Sequence, residues 1–376
     1  MIYNQGNDIW EVVARQLFED RHALHRIPEL SHDLPRTVAY VTGALASLSC
    51  RVFSPVESAV CAWFDFGADS AIAFRADMDA LPVTERTGLP YASEHLGCMH
   101  ACGHDGHTAI LLELARRLDR KKTMKKNVLL VFQPAEETTG GAKELCDTGI
   151  FETHHVEAIF GLHLWPGLTP GVIHSRRKEL MSRSSELNVD ITGRAAHIAK
   201  AAQGLDALAA GVEFYTRAVA MEQAMPPEIF RLLKFGRMES GTVRNAISAH
   251  TRLEGSLRAF QDDVFEAMRE KLYEIGREVE KTTGCSVNVR LNEGYPAVMN
   301  PDALYDRVCK LVEVRQLAEP SMTSEDFSYY QKRLPGVFFF LGVGDTPALH
   351  ADNFDFDETI LVKGADFFEE LAEKFQ

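Results

Sequence analysis

The sequence predicts a two-part α/β protein: a larger domain built on a mostly parallel sheet with helices on both faces, and a ferredoxin-like α+β domain inserted into it. Three observations carry this. Helix and strand patterns alternate through the first part of the chain, as in layered α/β folds. Near residue 180 the order changes to β-α-β-β-α-β, the split βαβ pattern, and the first pattern resumes from about Tyr295. A chain of 376 residues also exceeds one typical domain. The expected division is 1–181 and 294–376 for the larger domain and 182–293 for the insertion.

In chain order, Leu17–Leu24 and Pro35–Leu48 read as helices, and Val60–Phe66 and Ala71–Arg75 as strands. His107–Leu118 puts Ile110, Leu111, Leu114 and Leu118 on one helical face. Asn127–Phe132 and Ala158–Leu162 are short β-rich apolar runs. In the insertion, Ser185–Thr192 alternates, with Leu187, Val189 and Ile191 on one face. A helix over Gly204–Met221, strands near Ile229–Gly236 and Ala249–Arg258, a helix over Asp262–Thr283 and a strand over Ser286–Leu291 complete it. A strand at Val337–Gly342 and a helix at Glu358–Phe375 close the chain.

Composition narrows the function. Apolar residues make up 45% and charged residues 25%, ordinary for a globular protein with a sizeable core. The formal net charge of −14 disfavours nucleic-acid and anionic-membrane partners, which need positive surface. Apolar runs such as Val337–Val343 are too short to span a bilayer. Met1 to Leu17 carries Asp8 and Glu11 and has no apolar core of signal-peptide length. Seven scattered cysteines then suggest reduced thiols in the cytoplasm, six of them acting as small buried hydrophobes.

The chemistry concentrates in His100-Ala-Cys-Gly-His-Asp-Gly-His107, where one thiol and three imidazoles precede a helix. Cys102 and His104 can face the same side of a loop, and thiolate and neutral imidazole suit zinc and its neighbours. The plain alternative is a polar helix start with Asp105 as its N-cap. Other candidate ligands stand at expected strand ends: Asp77 and Asp79 after Ala71–Arg75, Glu136 and Glu137 after Asn127–Phe132, and His163 after Ala158–Leu162. His350 follows Val337–Gly342 through a short loop. Ligands of open α/β sheets bind beyond the carboxyl ends of strands. Adjacent glutamates in a loop point apart, so one can bind metal while the other serves as general base.

These segments resemble a known family. Arg75-Ala-Asp-Met-Asp-Ala-Leu-Pro82, Met99 to His107, Phe132-Gln-Pro-Ala-Glu-Glu137, Gly161-Leu-His163, Thr323-Ser-Glu-Asp-Phe327 and Leu349-His350 look like the metallopeptidase family of aminoacylase and glutamate carboxypeptidase. They resemble in particular its amidohydrolase branch of hippurate hydrolase, N-acetyl-diaminopimelate deacetylase and the hydrolases of indoleacetyl-amino acids. The match runs from Arg21-His-Ala-Leu-His-Arg-Ile-Pro-Glu29 to Asn353. The resemblance implies two divalent metal ions, zinc, manganese, cobalt or nickel, with Cys102 bridging them. It implies Glu137 and His350 on one ion, His104 and His163 on the other, Glu136 as general base, and Asp79 as a residue orienting a ligand. Asp77 stands where the wider family has a metal-binding histidine, whose place the resemblance gives here to His104, so Asp77 is not expected to be a ligand. His197, in Gly193-Arg-Ala-Ala-His197, resembles the lid histidine that polarises the scissile carbonyl, in some relatives across a dimer. Asn245 and Arg258 resemble residues that hold the substrate's α-carboxylate, a task that suits an arginine fork; without the resemblance, Arg258 would read as the solvated end of an edge strand.

The implied activity is hydrolysis of the amide bond of an N-acyl-L-amino acid by a homodimer joined through the inserted domain. A dipeptidase or carboxypeptidase with the same site is the nearest alternative. A non-catalytic metal-binding regulator is another, and Glu136 argues against it. The chain departs from many relatives at Ala195, Ala196, Ala201, Ala202 and Thr138, positions that shape the pocket and hence the substrate.

Overall fold

The apolar runs of the first part of the sequence become neighbours in one sheet. The structure is a computed structural model; it describes the backbone from Gln5 to Phe375 and side chains from Ala14 to Phe375. Helices α1 (Gln5–His25) and α2 (Pro35–Leu45) lead into strands β1 (Arg51–Phe53), β2 (Val60–Phe64) and β3 (Ala71–Asp77). Then come α3 (His104–Asp119), β4 (Asn127–Gln133), α4 (Gly141–Asp147), α5 (Ile150–Thr153), β5 (Val156–Pro166), β6 (Ile173–Ser175) and β7 (Lys178–Met181). The insertion contributes β8 (Arg183–Thr192), α6 (Ala207–Gln223), β9 (Arg231–Ser240), β10 (His250–Ala259), α7 (Asp262–Thr283) and β11 (Ser286–Leu291). The return brings β12 (Val298–Asn300), α8 (Asp302–Leu311), β13 (Arg315–Gln316), α9 (Ser328–Gln331), β14 (Gly336–Gly344) and α10 (Leu361–Lys374). Among the described residues no helix is long and apolar enough to cross a membrane.

The chain forms two compact units, one of Met1–Leu180, Met299–Glu319 and Asp326–Gln376, the other of Met181–Val298 and Pro320–Glu325. The short return Pro320–Glu325 belongs with the second unit, which the sequence pattern does not reveal. The first unit holds an eight-stranded sheet in the order β1-β2-β4-β3-β5-β14-β6-β13. Its centre, β4-β3-β5-β14, is parallel. β1, β2 and β6 pair antiparallel at the flanks. Strands β3 and β4 are buried along their whole length, as strands covered on both faces must be. On one face Phe74, Leu130, Phe160 and Phe339 pack with Leu17 of α1, Ile110 and Leu114 of α3, and Phe368 of α10. Tyr330 of α9 meets Gln133 on the other face and packs edge-on against Phe151 of α5.

That second face also buries a charge network. Arg75, fully buried, donates Nε to Gln133, Nη1 to Asp77 and Nη2 to Asp326, at 2.7–2.8 Å. The other oxygen of Asp326 accepts from Gln133 Nε2 and from the backbone of Ala142 at the start of α4. Removing one member of a buried, saturated pair leaves its partners charged and dry. Arg75→Leu is therefore expected to destabilise the fold by about 3 kcal/mol, measured as a lowered urea midpoint at unchanged slope. A midpoint equal to the parent's would show that the network contributes nothing net.

The second unit has the antiparallel order β11-β8-β10-β9. Leu187, Val189 and Ile191 of β8 point into one core with Leu253 and Leu257 of β10, Phe214 of α6 and Phe265, Leu272 and Val279 of α7. This is the expected split βαβ order.

Several local expectations change. α3 starts at His104 and its N-cap is Gly103, not Asp105, which lies inside the first turn. Gly103 has φ 87°, where glycine is the unstrained choice, and a Cβ there would meet Leu164 Cδ1 at 3.0 Å. His163 lies within β5, not at its end. Of the cysteines outside the metal segment, Cys61, Cys146 and Cys285 are buried, Cys50 and Cys98 are half-buried, and Cys309 is exposed. Arg258 lies on β10, an interior strand, and is not at a sheet edge.

Candidate metal centre

At the carboxyl ends of β3 and β4, in the last part of β5 and on the loop after β14 the first unit gathers the motif residues. The chain steps from β3 to β4 and then back across β3 to β5, and such a reversal opens a crevice beside the strand ends. Ligand atoms of Cys102, His104 and His163 lie within 4.8 Å of one another, and so do those of Cys102, Glu137 and His350. The two groups share Cys102, whose Sγ is 3.4 Å from His163 Nε2.

Each imidazole is aimed through its second nitrogen. His104 Nδ1 donates to the carbonyl of Asp79 at 2.7 Å, and His163 Nδ1 to that of Leu164 at 2.6 Å. This leaves both Nε2 atoms as lone-pair donors for a metal. His107 is differently engaged. Its Nε2 accepts from the Leu164 backbone, so Nδ1 carries the proton donated to Asp77 at 2.6 Å. Asp77 is thereby saturated by His107 and Arg75. Asp77, His104 and His107 still form a cluster of ligand-type atoms, but its hydrogen bonds already use the Asp77 carboxylate and both His107 nitrogens.

Asp79 holds the glutamate pair. Its two carboxylate oxygens accept from the backbone of Glu136 at 2.9 Å and of Glu137 at 3.1 Å. The preceding Ala135 has φ 59°, a left-handed conformation forced on a buried alanine. The sequence motif does not reveal this clamp, because it uses main-chain donors. His350 also has positive φ, 67°, and its backbone donates to Ala101 at 2.8 Å. A residue 249 positions away is thus tied to the Cys102 segment.

The residues fit a cation. His104 Nε2 and Glu137 Oε1 are buried without a hydrogen-bond partner, 3.8 Å apart. Such orphaned atoms are costly unless something satisfies them, and a divalent cation satisfies both. Burial, with Glu137 and Glu136 beside it, pushes the Cys102 thiol well above its ordinary range. Burial lowers the His104 value, but Asp77, Asp79 and Glu137 outweigh it and raise the ring to about 10. Burial and the neighbouring His107 hold His163 well below the usual histidine range. Thiolate, neutral imidazole and carboxylate are the forms that bind a divalent cation, so its binding would release these protons.

The model of peptidase family M20/M25/M40 matches residues 73–374. The chain belongs to this family. An N-acetyldiaminopimelate deacetylase of Limosilactobacillus fermentum is 33% identical over 94% of this M20 chain and 95% of its own length. That of Lacticaseibacillus paracasei is 35% identical over 92% and 94%. A Bacillus subtilis structure described as a dinuclear metal-binding peptidase of the M20 family superposes with a TM-score of 0.83. It is 29% identical, with 96% of this chain and 98% of that one covered. The M20 protein is accordingly a hydrolase acting on amide bonds.

The second unit holds the remaining motif residues. His197 and Asn245 are neighbours there, because the backbones of Ala196–Ile198 and Asn245–Ile247 pair. His197 Nδ1 accepts from the Ala199 backbone at 3.2 Å, so the neutral ring presents Nε2–H outward as a donor. Arg258 donates Nη1 to the carbonyl of Met322 and Nε to Ser256, which fixes its guanidinium. It lies near the far end of β10 from the Asn245 loop. Eight residue steps of strand lead from His250 to Arg258, roughly 26 Å at about 3.3 Å per residue.

Proposed function

We propose that this M20 protein is a two-metal amidohydrolase that removes the acyl group, acetyl among the candidates, from N-acyl-L-amino acids. The observation that carries the reading is the meeting of Cys102, His104, Glu137, His163 and His350 beside Glu136 at the strand ends. The names and 33–35% identity of the deacetylase relatives support the substrate class. Cys102 would bridge the ions, with Glu137 and His350 completing one shell and His104 and His163 the other. When bound, the ions supply Lewis acidity, which acidifies a water and polarises the amide carbonyl. Glu136 takes the proton of that water and later delivers it to the leaving amine. His197 donates Nε2–H to the oxygen on which negative charge develops. Asn245 and Arg258 hold the substrate's α-carboxylate.

An amino acid is far smaller than the roughly 26 Å of β10 that runs between the end carrying the Asn245 loop and Arg258. This span supports a site completed by a second copy of the chain, which brings His197 and Asn245 to its partner's metal centre. The second unit has a surface suited to that contact. Leu208, Val212 and Tyr215 are exposed at helical spacing on α6, and Met238 is exposed on β9, the strand at the end of the sheet order. An unpaired edge beside an apolar helix stripe invites a matching copy.

Complementation tests the arrangement. His197→Ala is expected to lower kcat by about 10²-fold with both metals retained, the cost of one oxyanion donor. Mixing this chain with an inactive Glu136→Ala chain should restore activity, since one site of each mixed dimer keeps both groups. Adding Val212→Asp should yield monomers by sedimentation and abolish the rescue. Mixed dimers that form and stay inactive would refute action across the dimer. A panel of N-acetyl and N-benzoyl amino acids against free dipeptides tests the substrate; faster turnover of the dipeptides would replace the deacylase reading with a dipeptidase.

A further inference from the structure

The segment Arg21 to His25 opens the family resemblance, yet it takes no part in the chemistry above. In the fold it forms one charged face of α1. Arg21 is 1% exposed. Its Nη2 donates to Asp355 at 2.7 Å, its Nη1 reaches Glu358 at 3.2 Å, and its Nε lies 3.5 Å from Asp105. Its guanidinium sits 3.9 Å from the centroid of the Phe356 ring. One turn on, His25 bonds Asp105 through Nδ1 at 2.8 Å and Glu85 through Nε2 at 3.2 Å. His22 Nε2 meets Glu358 at 2.7 Å.

These anions belong to the segments that carry the metal motif. Asp105 follows His104 on the first turn of α3. Asp355 and Glu358 follow His350 on the loop that leads into α10. That loop is anchored twice more, by the His350 backbone on Ala101 and the Arg86 backbone on Asp352. We propose that Arg21 is a positioning residue that ties the Cys102–His104 segment to the His350 loop and so sets the affinity of the ion assigned to Glu137 and His350. This rests on the two-metal reading. Buried ion pairs are poor sources of net stability compared with apolar packing, whereas a planar fork fixes two carboxylates at defined spacing. A ligand such as His350, whose side chain is 53% exposed and has little packing of its own, depends on such a tie.

The test uses the full chain stripped with a chelator. The two Zn²⁺ equivalents are titrated in competition with a chromophoric chelator, and thermal unfolding of the stripped protein is followed in parallel. Arg21→Met should weaken one equivalent, the same one that His350→Ala weakens, by about 10–100-fold, the usual effect of losing a residue that orients a ligand, and leave the other within a few-fold of the parent. Asp355→Asn, which removes the more exposed partner, should do the same to a smaller degree with little change in unfolding temperature. A lowered unfolding temperature with two equivalents of parental affinity in both variants would make Arg21 purely structural and overturn the proposal. If Arg21→Met does not fold, Asp355→Asn decides alone by the same criterion. A parent that takes up only one equivalent overturns the two-metal reading itself and this proposal with it.

Discussion

Glu136→Ala should bind two metal equivalents as the parent does and lose about 10²–10⁴-fold in kcat, or roughly 3–5 kcal/mol of transition-state stabilisation. The Glu136–Glu137 turn is held by main-chain donors on Asp79 and by the left-handed Ala135, so truncating one side chain leaves the turn in place. Glu137 keeps its place beside His104 and His350, at 3.8 and 3.4 Å. Only the proton acceptor disappears. Glu136 also lies within ligand distance of His104 and Glu137, so elemental analysis must accompany the kinetics. Loss of a metal equivalent would make Glu136 a ligand, and turnover within a few-fold of the parent would mean another group is the base.

Cys102→Ser should lower occupancy of both metals together and remove activity. Cys102 is the member common to the group with His104 and His163 and the group with Glu137 and His350. A residue shared by two shells cannot fail at one alone. Serine keeps the size but is a far weaker anion donor than a thiolate to a borderline-soft cation. Cys102→Asp should recover part of the occupancy, because a carboxylate can also bridge. Two retained equivalents with full activity in the serine variant would sink the bridging role; loss of one equivalent alone would assign Cys102 to a single ion.

The parts of the fold legible in the sequence are those whose burial leaves a periodic trace. β4 and β14 are covered on both faces and appear as apolar runs, and β3 does so as far as Phe74, before Arg75. α7 and β11 match their expected bounds, because amphipathic period and turn residues agree there. Short flanking elements such as β1, β6, β13 and α9 carry too few residues for any period to show. Within the metal segment the residue types were legible and their support was not. The Asp79 clamp, the Leu164 amide on His107 and the Ala101 carbonyl under His350 all use main-chain atoms, which every residue has. Asp105 reads as a helix cap from its type and position, yet it is a buried anion held by Arg21 and His25, partners some eighty residues earlier. The separation of Asn245 from Arg258 was legible as the predicted strand Ala249–Arg258, whereas the pairing of the His197 segment with the Asn245 loop was not, because it joins backbones distant in sequence.

The two-chain site proposed above has a kinetic consequence. A site assembled from two chains exists only while the chains are associated, so turnover reports the concentration of pairs and not of polypeptide. Above the dissociation constant of the pair, rate grows in proportion to protein. Below it, rate grows with the square of protein, and a diluted sample loses specific activity with the time constant of subunit separation. For such an enzyme, abundance acts as a threshold: a modest fall in expression near that constant silences the reaction more than proportionally, with every chain still folded.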